Sequence, residues 1–105
     1  MAFVKIVTTV PVEHAEAVRI AAGDAGAGRS GKYRDASFST LGAGRFFPLP
    51  GAHPAIGIVG KPQEVSEERI EWTCSRDAAS AICEAIRKVH PYEEPVIDIY
   101  PLEMV

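Results

Sequence analysis

The chain has 105 residues, 47% of them hydrophobic and 24% charged, which is the balance of a folded domain and excludes a disordered one. That length suffices for one core and not for two, so residues 1–105 read as a single domain. Eleven Lys and Arg against fourteen Asp and Glu leave a net charge of −3, which excludes a basic, phosphate-coating nucleic-acid binder.

Val4, Ile6, Thr8 and Val10 alternate with Lys5, Val7 and Thr9, the pattern of a strand with one buried face. Pro11 suits the first position of a following helix. Glu13 favours its positive dipole end, Ala15, Val18, Ala22 and Ala25 recur at helical spacing, and Gly26 and Gly28 stop it. Tyr33 to Thr40 reads as a strand, Gly42-Ala43-Gly44 as a turn, and Arg45 to Leu49 as a short return strand stopped by Pro48 and Pro50. Gly51 to Gly60 reads as a loop. Val65 to Cys74 is a second clear strand with Ile70, Trp72 and Cys74 on one face. Asp77 is placed to cap a helix whose apolar stripe is Ala79, Ile82, Cys83, Ile86 and Val89. Pro91 ends that helix, and Val96 to Glu103 forms a last strand. The order β-α-β-β-α-β predicts an α+β, ferredoxin-like sandwich with an antiparallel sheet. Its second face keeps Val7, Val96 and Tyr100 beside polar residues, a surface suited to assembly.

The N-terminal stretch lacks the basic start, apolar run and cleavage site of a signal peptide. The longest uncharged run, Phe46 to Gly60, holds three Pro and three Gly and cannot be a spanning helix. The expected location is the cytoplasm, with no membrane and no nucleic-acid partner. Cys74 and Cys83 fit no metal or redox spacing and read as buried, inert thiols.

Gly26-x-Gly28-x-x-Gly31 matches the dinucleotide fingerprint in letters only. It follows a helix and leads into a strand, the reverse of the required context. No phosphate-binding P-loop is present, and no nucleophile elbow surrounds Ser37, Ser39 or Thr40. His90-Pro91-Tyr92-Glu93-Glu94-Pro95 sets an imidazole, a phenol and two carboxylates between two prolines that restrict the backbone. Such a segment serves either to bind a cation or position an acid and a base, or as a rigid connection with solvated carboxylates. From Gly26 to Lys61 five basic residues stand against Asp35 alone, and Gly44-Arg45 can present a guanidinium to an anion or to the acidic surface of a neighbouring subunit.

The ending HPYEEP…Asp98-Ile99-Tyr100-Pro101-Leu102 resembles the closing motif of the YqfO-type domain found in bacterial proteins of the NIF-three-like family. Val10-Pro11-x-x-His14, Phe38-Ser39-Thr40-x-Gly42-x-Gly44-Arg45-Phe46 and Pro54-Ala55-x-Gly57 resemble it too, so the likeness covers nearly the whole chain. It implies a relative of the CutA and PII proteins, assembled as a homotrimer with ligand clefts between subunits. The two-lobed body with a dinuclear metal site that the larger family proteins carry has no counterpart here. The chain therefore reads as the insertion domain standing alone, and the family's cyclohydrolase label does not transfer.

The leading expectation is a small binding or regulatory module that takes a divalent metal ion or a small anionic ligand. Gly44, Arg45, His53, His90, Tyr92, Glu93 and Glu94 are the candidate contacts, and His53, His90 and Glu93 the candidate metal ligands. No residue is assigned a catalytic role. The rival readings are a structural assembly or partner-docking domain without a ligand, and a metal-assisted hydrolase of a phosphorylated or nucleotide-like substrate.

Overall fold

The structure is a computed structural model and describes residues 2–103, so Met1, Met104 and Val105 lie outside the described residues. Four strands and two helices follow in the order β1 (Phe3–Pro11), α1 (Ala15–Asp24), β2 (Phe38–Phe46), β3 (Gln63–Ser75), α2 (Ala79–Val89) and β4 (Ile97–Leu102). Short 3-10 turns at Val12–His14 and Arg76–Ala78 lead into the helices. The sheet order is β2-β3-β1-β4 and every pairing is antiparallel. This is the β-α-β-β-α-β sandwich that the alternating pattern predicts.

β3 is the spine. Val4, Ile6, Thr8 and Val10 of β1 stand opposite Cys74, Trp72, Ile70 and Glu68 of β3. With period-2 alternation these residues share one face, which packs against Ala15, Val18 and Ala22 of α1 and Ile82 and Ile86 of α2, all buried. Each large apolar side chain buried here contributes about 1.5–3 kcal/mol relative to an exposed one. Thr8 is the fully buried polar residue in this layer, and its hydroxyl donates to the Val96 carbonyl at 2.7 Å, so the buried oxygen is satisfied. Cys74 and Cys83 are free and buried, and burial pushes both thiols up.

Four local expectations give way. Pro11 closes β1 instead of opening a helix; its ψ of 139° is extended, and the helix starts only at Ala15. Asp77 lies in the 3-10 turn and makes no side-chain cap. Val89, assigned to the apolar stripe, is 37% exposed because α2 ends there. The largest correction concerns residues 33–49. There is no hairpin within them: a single strand runs from Phe38 through Gly42-Ala43-Gly44 to Phe46 and pairs with Glu71 through Gln63 of β3. Residues 29–37 form a loop closed by a Ser30–Tyr33 bridge and an Ala36 N–H donated to the Gly28 carbonyl.

The reason is spatial. Neither Gly42 nor Gly44 has the positive φ that a glycine turn uses. Gly44 suits this place because the Glu67 carboxylate, held by Tyr92, lies over its Cα, so a Cβ would force it to shift. Gly42 has open space at the same place. The last β1–β3 pair is Pro11 with Glu67, whereas β2 pairs with β3 as far as Gln63. β2 and β3 therefore extend past β1 as a two-stranded arm, and Gly44 and Glu67 stand at its base.

The two glycines should respond differently to alanine. Gly44→Ala should cost about 1–3 kcal/mol of overpacking, while Gly42→Ala should leave stability unchanged or raise it by about 0.5 kcal/mol. Urea unfolding of both variants checks this, and equal costs would contradict the spatial reading.

Candidate functional site

The connection from α2 to β4, residues 90–96, is held at four points besides the Thr8 hydroxyl on the Val96 carbonyl. The His90 N–H donates to the Ile86 carbonyl at 2.9 Å and closes the helix. Pro91 disfavours helical backbone in the residue before it, and His90 accordingly turns extended at φ −70°, ψ 132°. Its imidazole is 7% exposed and used on both sides. Nε2 donates to the Thr9 carbonyl at 2.8 Å, and Nδ1 accepts the Tyr92 N–H at 3.2 Å. These partners assign the neutral ring with its proton on Nε2.

Tyr92 then reaches the sheet. Its hydroxyl donates to Oε2 of Glu67 at 2.7 Å, and its ring meets Phe46 edge to face at 5.6 Å. Burial, reinforced by the Glu67 carboxylate that accepts its proton, pushes the phenol well up. Glu93 makes the fourth point: its Oε1 accepts the backbone N–H of His53 at 2.8 Å and ties the loop after β2 to the connection. That loop is closed on itself by a Gly60 N–H donated to the Pro48 carbonyl at 2.9 Å.

Between these parts lies a cleft of about 900 Å³. Register places Thr9, Gly42, Glu67 and Arg69 on the sheet face away from the helices, and these form its floor. Phe46, Phe47, Pro48, Leu49, Pro54 and Ile56 give apolar walls, and Tyr92, Glu93 and Glu94 close the far side. Two arginines meet three glutamates in the lining. Arg45 is paired with Glu64 at 2.8 Å in full view of solvent, and Arg69 with Glu71 at 3.0 Å. Exposed pairs of this kind are worth little, so either guanidinium can turn to a ligand at small cost.

The structure thus gathers Gly44, Arg45, Tyr92, Glu93 and Glu94 around one cleft. It does not gather the expected metal ligands. His53 contributes its backbone amide, and the His90 ring is spent on Thr9 and Tyr92 behind the cleft wall. Among the described residues no three His, Cys, Asp or Glu side chains stand together as a metal would need. Sequence reasoning missed Glu67, Phe46 and Arg69. Glu67 sits in the run Glu64-Val65-Ser66-Glu67-Glu68, which reads as a solvated edge. The one available signal was Gly42-x-Gly44 within an apolar segment, because glycine inside a strand marks a close approach.

No family model matches the chain. Solved structures define the class. CutA from Archaeoglobus fulgidus superposes with a TM-score of 0.68 at 17% identity, over 98% of this chain and 86% of that one. Bacillus subtilis GlnK superposes at 0.65 and 15% identity, over 97% and 86%. Both share the CutA/PII-like, ferredoxin-like fold and, at such identity, the fold alone. A narrower kinship follows. A Bacillus cereus protein related to NIF3 superposes with a TM-score of 0.85 at 41% identity, over 98% of this chain and 26% of that one. The GTP cyclohydrolase 1 type 2 homolog of Bacillus subtilis is 46% identical over 99 residues, 94% of this chain and 26% of the relative. The same-named protein of Mycobacterium tuberculosis is 46% identical over 98 residues, 93% of this chain and 26% of the relative. The chain is a homologue of one segment of these NIF3/YqfO proteins and spans about a quarter of their length.

Burial lowers the His90 imidazole from its ordinary 6.5; the Thr9 carbonyl and the Glu67 charge oppose this, and His14 adds to it. Below pH 6.5 the unfolded chain therefore binds this proton more readily than the folded one. The contribution is complete above pH 6.5 and is lost as pH falls below it towards the folded value. Urea midpoints measured from pH 7.5 down to 5 should decline, and the decline should be smaller in His90→Gln. An identical slope in the variant would contradict the assignment.

Proposed function

We propose that the chain is a small cytoplasmic binding or regulatory module that assembles as a homotrimer and takes a small anionic ligand in the cleft at the base of the β2–β3 arm. The observation that carries this reading is the cleft itself. Its size, its mainly apolar walls and the few charged side chains converging on it are what small-ligand sites share. An anion is favoured over a metal ion because Arg45 and Arg69 are there to receive it, while the candidate metal donors are dispersed. Gly42, with open space over its Cα, keeps the backbone of β2 bare on the cleft floor, which lets a ligand approach closely.

Self-association rests on the face opposite the helices. Phe38 (66%) and Tyr100 (44%) on its strands and Val96 (55%) just before β4 are exposed there, whereas Val7, expected on the same face, is buried at 3%. Apolar surface of that kind marks an interaction site. The subunit number is the one that the CutA and PII resemblance implies. The relatives suggest a first panel of ligands: they carry a GTP cyclohydrolase name, and a solved complex of Bacillus subtilis GlnK with ATP shares this fold.

Calorimetric titration with ATP and with GTP tests the reading. Saturable binding of at least one is expected, weakened about tenfold in Arg45→Ala for the loss of about 1.4 kcal/mol of charge-assisted hydrogen bonding. Failure of both nucleotides to bind, or binding indifferent to Arg45, would contradict it.

A further inference from the structure

Glu67 is an anomaly in the electrostatics of the molecule. It is 6% exposed, and among the described residues it takes part in no ion pair. Its Oε2 accepts the Tyr92 hydroxyl. Its Oε1 lies over Gly44 and accepts from no donor among the described residues. Buried carboxylates are ordinarily paired with a cation, because one neutral hydroxyl does not repay the loss of water. Here the carboxylate forms part of the floor of an open cleft, and Oε1 packs against the bare Cα of Gly44 without a hydrogen-bond donor among the described residues.

The surroundings agree in sign and shape. Glu93 and Glu94 line the same cleft, so Glu67 is one of three carboxylates in its lining. The rings of Phe46 and Tyr92 stand beside the carboxylate as an edge-to-face pair at 5.6 Å. Aromatic rings around a buried carboxylate suit a weakly hydrated cation.

We infer that Glu67 is the seat for a positively charged nitrogen, of the guanidinium type, carried by the small ligand of the cleft. This rests on the reading of the cleft as a ligand site and deepens it. The ligand is dipolar, with its anionic end at Arg45 and Arg69 and its cationic end at Glu67, so the nucleotides named above engage the anionic half alone. Gly44 is then a specificity-determining position, because any side chain there would displace the carboxylate that receives the nitrogen. Tyr92 is a positioning residue that holds the carboxylate through Oε2 and leaves Oε1 free.

The test compares two probes of the same shape, n-butylguanidinium and the neutral n-butylurea. Both are titrated into the full-length protein and followed by amide chemical shifts. The expected result is that butylguanidinium binds at least tenfold more tightly than butylurea, with shifts centred on Gly44, Phe46 and Tyr92. Glu67→Gln keeps the shape and still accepts the Tyr92 hydroxyl, and it should abolish the preference. Equal binding of the two probes to the wild type would overturn the role of Glu67 while leaving the cleft as a site, and this comparison stands even if the variant does not fold. Absence of any shift along the cleft would overturn both. Sedimentation separates a free ligand from a second copy of the chain: dissociation of an assembly on adding butylguanidinium would mean that a neighbouring subunit's lysine or arginine fills the seat, and would overturn the assignment to a small ligand.

Discussion

The hydrogen bond from Tyr92 to Glu67 joins parts of the chain that have no other reason to meet. One partner is on the connection after α2, the other at the last position where β3 still pairs with β1. Gly44 makes the meeting possible, since the carboxylate lies where a Cβ would be. Around this contact the rest of the site follows. Tyr92 carries the connection towards the sheet, Phe46 packs on its ring, and Glu93 reaches the backbone of His53 and holds the loop. The prolines on either side of the segment reduce the entropy that this ordering costs.

The long β3 strand sets the two roles apart. Where it pairs with both β1 and β2, its alternate residues feed the core beneath the helices. Beyond Glu67 it pairs with β2 alone, and the sheet becomes an arm. The cleft sits at the change from one regime to the other, where the sheet loses a strand and the connection fills part of the gap. CutA and GlnK share the fold at 17% and 15% identity, so the scaffold tolerates wide changes of sequence. The residues at this change of regime are where chemistry particular to the NIF3-related proteins has room to differ.

The fold was legible because the patterns that encode it are local. Val4 to Val10 and Ile70 to Cys74 alternate cleanly, and Ile82, Cys83 and Ile86 keep helical spacing. β2 was not legible for the same reason. Gly42-Ala43-Gly44 is locally a turn, and only pairing with β3 makes it a strand, with a carboxylate 23 positions further along the chain filling the space over Gly44. The site was legible in half. HPYEEP stands out through its two prolines and its density of functional groups, and it does line or support the cleft. Glu67 has no local mark: its burial comes from Tyr92, Gly44 and Pro11, none of them near it in sequence. His90 misled in the other direction, since an imidazole beside two carboxylates invites a metal, whereas tertiary contacts spend both ring nitrogens on backbone groups.

The central claim is that this is a self-associating module with a small molecule in its cleft. Native mass spectrometry of the untagged protein, sprayed under gentle conditions, addresses both halves at once. The account predicts a trimer that carries the excess mass of a small organic ligand. A monomer at the bare polypeptide mass would contradict it.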